Sequence, residues 1–131
     1  MAEHFDKVKG YLLDLGLTIA TENEADELVV VDDEENGIKS LFVDCEPPIV
    51  ILEQLIGDVP ADPGDLFVRL LQMNNTLVHG AFVLDESATR IFYRDTLQLA
   101  NLDVNELEGS IDALSLAMAE YGAELLGYLK R

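Results

Sequence analysis

The amino-acid sequence predicts an α+β fold: an antiparallel sheet of about five or six strands with helices packed on it, in the order α-β-β-β-(β)-α-β-β-α. Three observations lead there. Apolar residues recur at helical spacing near the start, the middle and the end of the chain. Between those stretches the period drops to two. The changes of period fall on short turn-forming segments, among them Asn36-Gly37, Pro47-Pro48 and Ser87–Thr89.

The elements follow in order. Phe5, Val8, Leu12 and Leu15 lie three or four residues apart with charges between them, so residues 2–15 read as an amphipathic helix ending near Gly16. "LTIATE" and "ELVVVDD" read as strands. Asn36-Gly37 then signals a tight hairpin leading into "IKSLFVDCE". Pro47-Pro48 interrupts, because neither proline has a backbone donor for a ladder, and "IVILEQLIG" resumes as a mostly buried strand. In "DVPADPGDLFVRLLQMNN", Asp62 is the expected cap of a second helix, Pro63 fits its first turn and Asp65 faces the positive end of its dipole. Asn74-Asn75 is the expected stop, since asparagine tolerates positive φ best after glycine. "HGAFVLDE", the turn "SAT" and "RIFYRD" make a second hairpin. Asp103 with Glu106 approximates a capping box at the start of a final helix over residues 103–128. Along it Val104, Ile111, Met118 and Leu125 repeat every seven residues, as do Leu107, Leu114, Tyr121 and Tyr128 beside them.

No low-complexity linker, internal repeat or break in composition divides the chain, and 131 residues suit one domain over 1–131. Hydrophobic residues make up 49%, enough for a core and too many for disorder. Cys45 is the single cysteine, which excludes an internal disulfide. The acidic N-terminal stretch does not resemble a secretory signal, and no uncharged apolar run has the length of a membrane span, so a cytoplasmic protein is expected.

The formal net charge of −18 is the largest departure from the ordinary. It is uneven: residues 1–66 hold 17 acids against Lys7, Lys9 and Lys39, a balance of −14. Such a field repels phosphates and anionic head groups, which argues against direct nucleic-acid binding or membrane insertion, and it attracts basic partners. It also keeps a protein soluble.

The stretch from Gly64 to Leu114 carries a family resemblance. A leucine-rich helix ending in asparagine (Leu70, Leu71, Asn74) precedes a strand opening near glycine (Gly80, Phe82, Leu84), a polar turn, a second strand and a leucine-rich lead into the last helix (Leu97, Leu99, Leu102). With the order of elements over almost the whole chain, this resembles the type III secretion (Tir-type) chaperones and the related YbjN-like proteins. The resemblance implies a secretion-chaperone-like fold, and a small acidic homodimer that holds an extended or helical segment of a client protein on its sheet and helix surfaces. The acidic loop near Asp32 and the Pro47-Pro48 pair have no place in that pattern. A fainter similarity, to small bacterial proteins encoded beside phage-shock-type membrane-stress proteins, implies a different client held in the same way.

Catalytic chemistry finds little support in the sequence. His4 on the first helix and His79 at a strand start have no motif that places a nucleophile beside them. Alternation puts Cys45 on the side of Leu41 and Val43, as a buried thiol. Asp32, Glu34, Asn36 and Gly37 imitate the first half of a calcium loop, but its twelfth position, which requires a bidentate glutamate, is Val43. No catalytic residue, cofactor or metal site is assigned. The functional expectation is a non-enzymatic adaptor or chaperone-like protein that binds a partner polypeptide, in bacterial secretion or membrane stress. An acidic DNA mimic that occupies a nucleic-acid-binding protein is the alternative. The last helix allows two readings: its stripe covers the sheet as core, or its far end serves a dimer or client through Leu116, Tyr121, Leu125, Tyr128 and Leu129.

Overall fold

The computed structural model describes residues 2–130. The elements run α1 (Ala2–Asp14), β1 (Thr18–Asn23), β2 (Leu28–Asp33), β3 (Ile38–Glu46), β4 (Ile49–Asp58), α2 (Leu66–Asn74), β5 (Ala81–Leu84), β6 (Arg90–Gln98) and α3 (Val104–Leu129). The strands form one six-stranded sheet in the order β1-β2-β3-β4-β6-β5. All five pairings are antiparallel. The bracketed fourth strand of the expected order is therefore present, and it lies inside the sheet.

The period-two pattern decides which face is covered. Val29, Val43 and Leu52 stand in register across β2, β3 and β4, as do Gln54, Tyr93 and Phe82 across β4, β6 and β5, and all six are buried. The helices supply the other half of this core through Phe5, Val8 and Leu12 of α1, Leu66, Leu70 and Met73 of α2, and the α3 stripe Leu107, Ile111, Leu114, Tyr121, Leu125 and Tyr128. Hydrogen bonds tie α3 to the sheet and to α2. Ser110 on α3 donates to Asp95 of β6 at 2.7 Å, and Tyr128 near the end of α3 donates to Asp65 at 2.6 Å.

Four local expectations are corrected. The β2–β3 connection is not a two-residue hairpin: Glu34–Asn36 form a 3-10 turn, closed by a 2.7 Å bond from Asn36 Nδ2 to Asp33, and Gly37 follows at φ +79°. α2 starts at Leu66 rather than beside Asp62, because Gly64 takes φ +57° and Asp65 becomes the flanking residue, its carboxylate turned to Tyr128. Asn75 ends that helix at φ −64°, so the asparagine pair is not a positive-φ stop. Asn74 instead accepts from the Phe82 amide at 2.7 Å and donates to the Phe82 carbonyl at 3.1 Å, tying α2 to edge strand β5. The positive φ belongs to Gly80, at +71°, where a Cβ would overlap the Tyr93 ring, whose hydroxyl donates to the His79 carbonyl at 2.6 Å. His79 accordingly lies in the loop before β5 and not at its first residue.

Candidate functional site

Among the described residues, α1, α2 and α3 all pack on one side of the sheet, and no helix covers the other. The rows of that outer face are read directly from the register. Val30, Phe42, Glu53, Arg94 and Ala81 cross five strands, and Leu55, Phe92 and Val83 lie beside them. A solvated face of an antiparallel sheet ordinarily alternates to polar residues. Here Phe42 is 47% exposed and Leu55 50%, with Val30, Phe92 and Val83 half-buried. Phe42, Leu55 and Phe92, with Lys39, Glu53 and Arg90, line a shallow groove of about 540 Å³.

The pattern inverts at one point, and the inversion explains Leu55. Gln54 is 3% exposed, although polar, while its apolar neighbour faces water. Its amide accepts from the Lys39 backbone at 2.9 Å and donates to the Gly37 carbonyl at 3.0 Å. A buried amide with both functions satisfied is stable, and the strict alternation of β4 then turns Leu55 outward.

Of the five residues proposed from the last helix, the structure brings three into the core: Tyr121, Leu125 and Tyr128 are 7%, 1% and 9% exposed. Leu129 is half-buried against that core. The cause is simple: the heptad stripe is the face that packs on the sheet, so these three side chains are core, while Leu126, 52% exposed, stays open beside Leu129 near the end of α3. Leu116 alone of the five is exposed, at 68%. It lines a second groove of about 360 Å³ with Val78, His79, Asp112 and Glu120. The sequence reading named residues on neither of two further apolar surfaces. One is the sheet face just described; its signal was the run of apolar neighbours Leu41-Phe42 and Ile49–Leu52, which cannot all point inward. The other is the outer face of α2, where Phe67, Val68 and Leu71 are exposed. Arg69 of the same helix bonds Glu124 of α3 through Nε at 2.5 Å and Nη2 at 2.9 Å, which holds the Glu124 carboxyl below the usual carboxylate range.

The residues considered for chemistry stay apart. His4 is on α1, His79 lines the groove beside Leu116, and Cys45 adjoins Asp26, Glu27 and Pro47 at the far end of β3. Burial, then the nearby Glu27 and Asp44 charges, raise the Cys45 thiol from 9.0 to about 11, which leaves it protonated and unreactive at neutral pH. Asp32 accepts from the Ser40 amide at 2.7 Å and Asn36 is bound to Asp33, so the imitation calcium loop uses these side chains to hold its own turn. Among the described residues no group of three or more His, Cys, Asp or Glu side chains is arranged to hold a metal. None of the described helices is long and apolar enough to cross a membrane.

Comparison with known proteins agrees with this architecture. The CesT_Tir_1 family model matches residues 1–131. Among solved structures, YbjN from E. coli superposes with a TM-score of 0.71 at 15% identity, covering 92% of each chain. An uncharacterized protein from Methanothermobacter thermautotrophicus gives 0.68 at 12% identity, over 96% of this chain and 99% of the other. A chain of the heterodimeric ExoU–SpcU complex, from the type III secretion system of Pseudomonas aeruginosa, gives 0.65 at 18% identity, over 92% and 96%. At these identities the likeness is one of fold. No curated protein sequence gives a significant match.

Proposed function

The chain belongs to the CesT_Tir_1 family, and from that premise we propose that it is a non-enzymatic, chaperone-like adaptor that holds a partner polypeptide. The single observation that carries this reading is the uncovered sheet face. Phe42 and Leu55 are about half exposed on the middle strands of a sheet whose other side carries the helices and the buried core. An apolar surface of that kind is stable in water only at a cost, and covering it with a partner recovers the hydrophobic stabilisation. The ExoU–SpcU likeness supports a protein as the partner, since that fold occurs there in a heterodimeric complex. In this reading residues 1–131 form one domain, acting in the cytoplasm in bacterial secretion or the membrane-stress response. The exposed α2 residues Phe67, Val68 and Leu71 sit at i, i+1 and i+4 and form an apolar patch, which in this reading serves a homodimer.

The test is capture of partners from the native cell extract at low salt. The bait is the wild-type protein, a Phe42→Asp/Leu55→Asp double variant, or an unrelated protein of matched charge. A polypeptide enriched by the wild type and lost with the double variant supports the adaptor reading. No enrichment over the charge-matched control, or equal capture by the double variant, rejects it. Enrichment of a nucleic-acid-binding protein that DNA displaces would favour the acidic-mimic alternative.

A further inference from the structure

The cations of this acidic chain are not placed evenly. It has 8 lysines and arginines against 26 acids, and three of the eight, Lys39, Arg90 and Arg94, line or adjoin the outer sheet face. Arg94 is answered locally by Glu53 at 3.2 Å. Arg90 meets Asp58 only at 3.9 Å with both side chains well exposed, a pair of little worth in water. Lys39 makes no ion pair among the described residues. β3 carries Lys39 and β6 carries Arg90, so two weakly answered cations flank β4 and its exposed Leu55. The groove beside Leu116 is the reverse case: its charged lining is Asp112 and Glu120.

The groove is also not closed at its end. Lys39 and Leu55 line a second trough, of about 350 Å³, that continues past Met118, Leu126 and Leu129 of α3. A path that leaves the sheet face and turns onto a helix suits a chain molecule better than a compact ligand.

We propose that this path takes an extended client segment in which aliphatic side chains, seated among Phe42, Leu55 and Phe92, are flanked by carboxylates that meet Lys39 and Arg90. This rests on the adaptor reading and adds the chemistry of the segment. Recognition and steering then differ in sign. The overall field draws basic partners toward the protein, but at about 0.15 M salt it is screened beyond about 8 Å, and within contact distance the two rim cations decide which segment stays.

The test uses three rhodamine-labelled capped peptides with the common core Leu-Thr-Leu-Thr-Leu, flanked on both sides by Asp-Asp, Ser-Ser or Lys-Lys, titrated at about 0.15 M salt with anisotropy as the readout. The Asp-flanked peptide binds about fivefold tighter than the Ser-flanked one, the range two exposed ion pairs supply. Lys39→Gln/Arg90→Gln removes that preference, and Lys39→Glu/Arg90→Glu makes the Lys-flanked peptide the tightest. Circular dichroism verifies that both variants remain folded. Tightest binding of the Lys-flanked peptide by the wild type overturns the inference, as does an Asp preference that survives both variants. Equal binding of all three overturns it while leaving the adaptor reading intact. Absence of binding by all three overturns it too, and capture with the Phe42/Leu55 variant then decides the adaptor reading separately.

Discussion

Replacing Asn74 separates two accounts of the same residue. A positive-φ stop at the end of α2 would make Asn74→Gly neutral or stabilising, because glycine adopts that conformation without a Cβ clash. The structure instead gives Asn74 two hydrogen bonds to the Phe82 backbone, at 2.7 and 3.1 Å. Phe82 lies on β5, the outermost strand, so Asn74 occupies backbone groups that would otherwise form an open sheet edge. Each bond contributes about 1 kcal/mol net, so Asn74→Ala loses about 2 kcal/mol and regains about 0.5 kcal/mol of helix propensity. The expected loss is about 1.5 kcal/mol, or about 5 °C in Tm for a chain of this size. Asn74→Gly loses a further ~0.5 kcal/mol of helix propensity instead of regaining it, and should lose about 2.5 kcal/mol in all. Urea unfolding followed by circular dichroism measures both, and amide exchange at Phe82 reports the local event directly, with faster exchange expected in either variant. A glycine variant as stable as the wild type, or an unchanged Phe82 exchange rate, would show that the bridge contributes nothing.

Further predictions concern the core and its ionisable groups. Gln54→Leu deprives the Lys39 amide and the Gly37 carbonyl of partners at a site 3% exposed, and should cost about 2 kcal/mol by urea unfolding; a stability gain would mean the amide is not needed there. Tyr128→Phe removes the 2.6 Å bond to Asp65 and should cost about 1.5 kcal/mol, with an unshifted urea midpoint counting against that contact. Because Cys45 rises from 9.0 to about 11 on folding, the unfolded chain ionises first. Stability is therefore full below pH 9 and falls as pH rises toward 11, with Tyr93, also raised by burial, acting in the same direction. The urea midpoint measured from pH 7 to 10.5 should fall, and less steeply in Cys45→Ala. At pH 8 the native thiol should react with a disulfide reagent about a hundredfold more slowly than in urea, and equal rates would contradict its burial.

Much of the fold was legible because it rests on local periodicity. The heptads of α3, the alternation that buried Cys45 beside Leu41 and Val43, and the Asp103 cap, which accepts from the Glu106 amide at 2.9 Å, are all patterns within a few residues. What escaped reading depends on distant parts of the chain. Asn74 takes its role from an edge strand that reaches it only in the folded sheet, and Asp65 from a tyrosine 63 residues away. The burial of Tyr121, Leu125 and Tyr128 was not legible for a related reason: an apolar stripe on a helix looks the same whether it faces a sheet or a partner. The apolar run of β4 reads as mostly buried, yet in the fold one of its faces is only partly covered and Leu55 is exposed. Only the tertiary arrangement, with all three helices on one side, shows that Phe42 and Leu55 rather than Tyr121, Leu125 and Tyr128 are available to a partner.

Photocrosslinking of the bound state tests the central claim most directly. Benzoylphenylalanine is placed at position 42 on the sheet face, or at Leu13, an exposed residue of α1 on the helical side. A client polypeptide crosslinked from position 42 and not from position 13 is the predicted result. Crosslinks from position 13 alone, or a position 42 that stays unreactive in a complex that has formed, would contradict it.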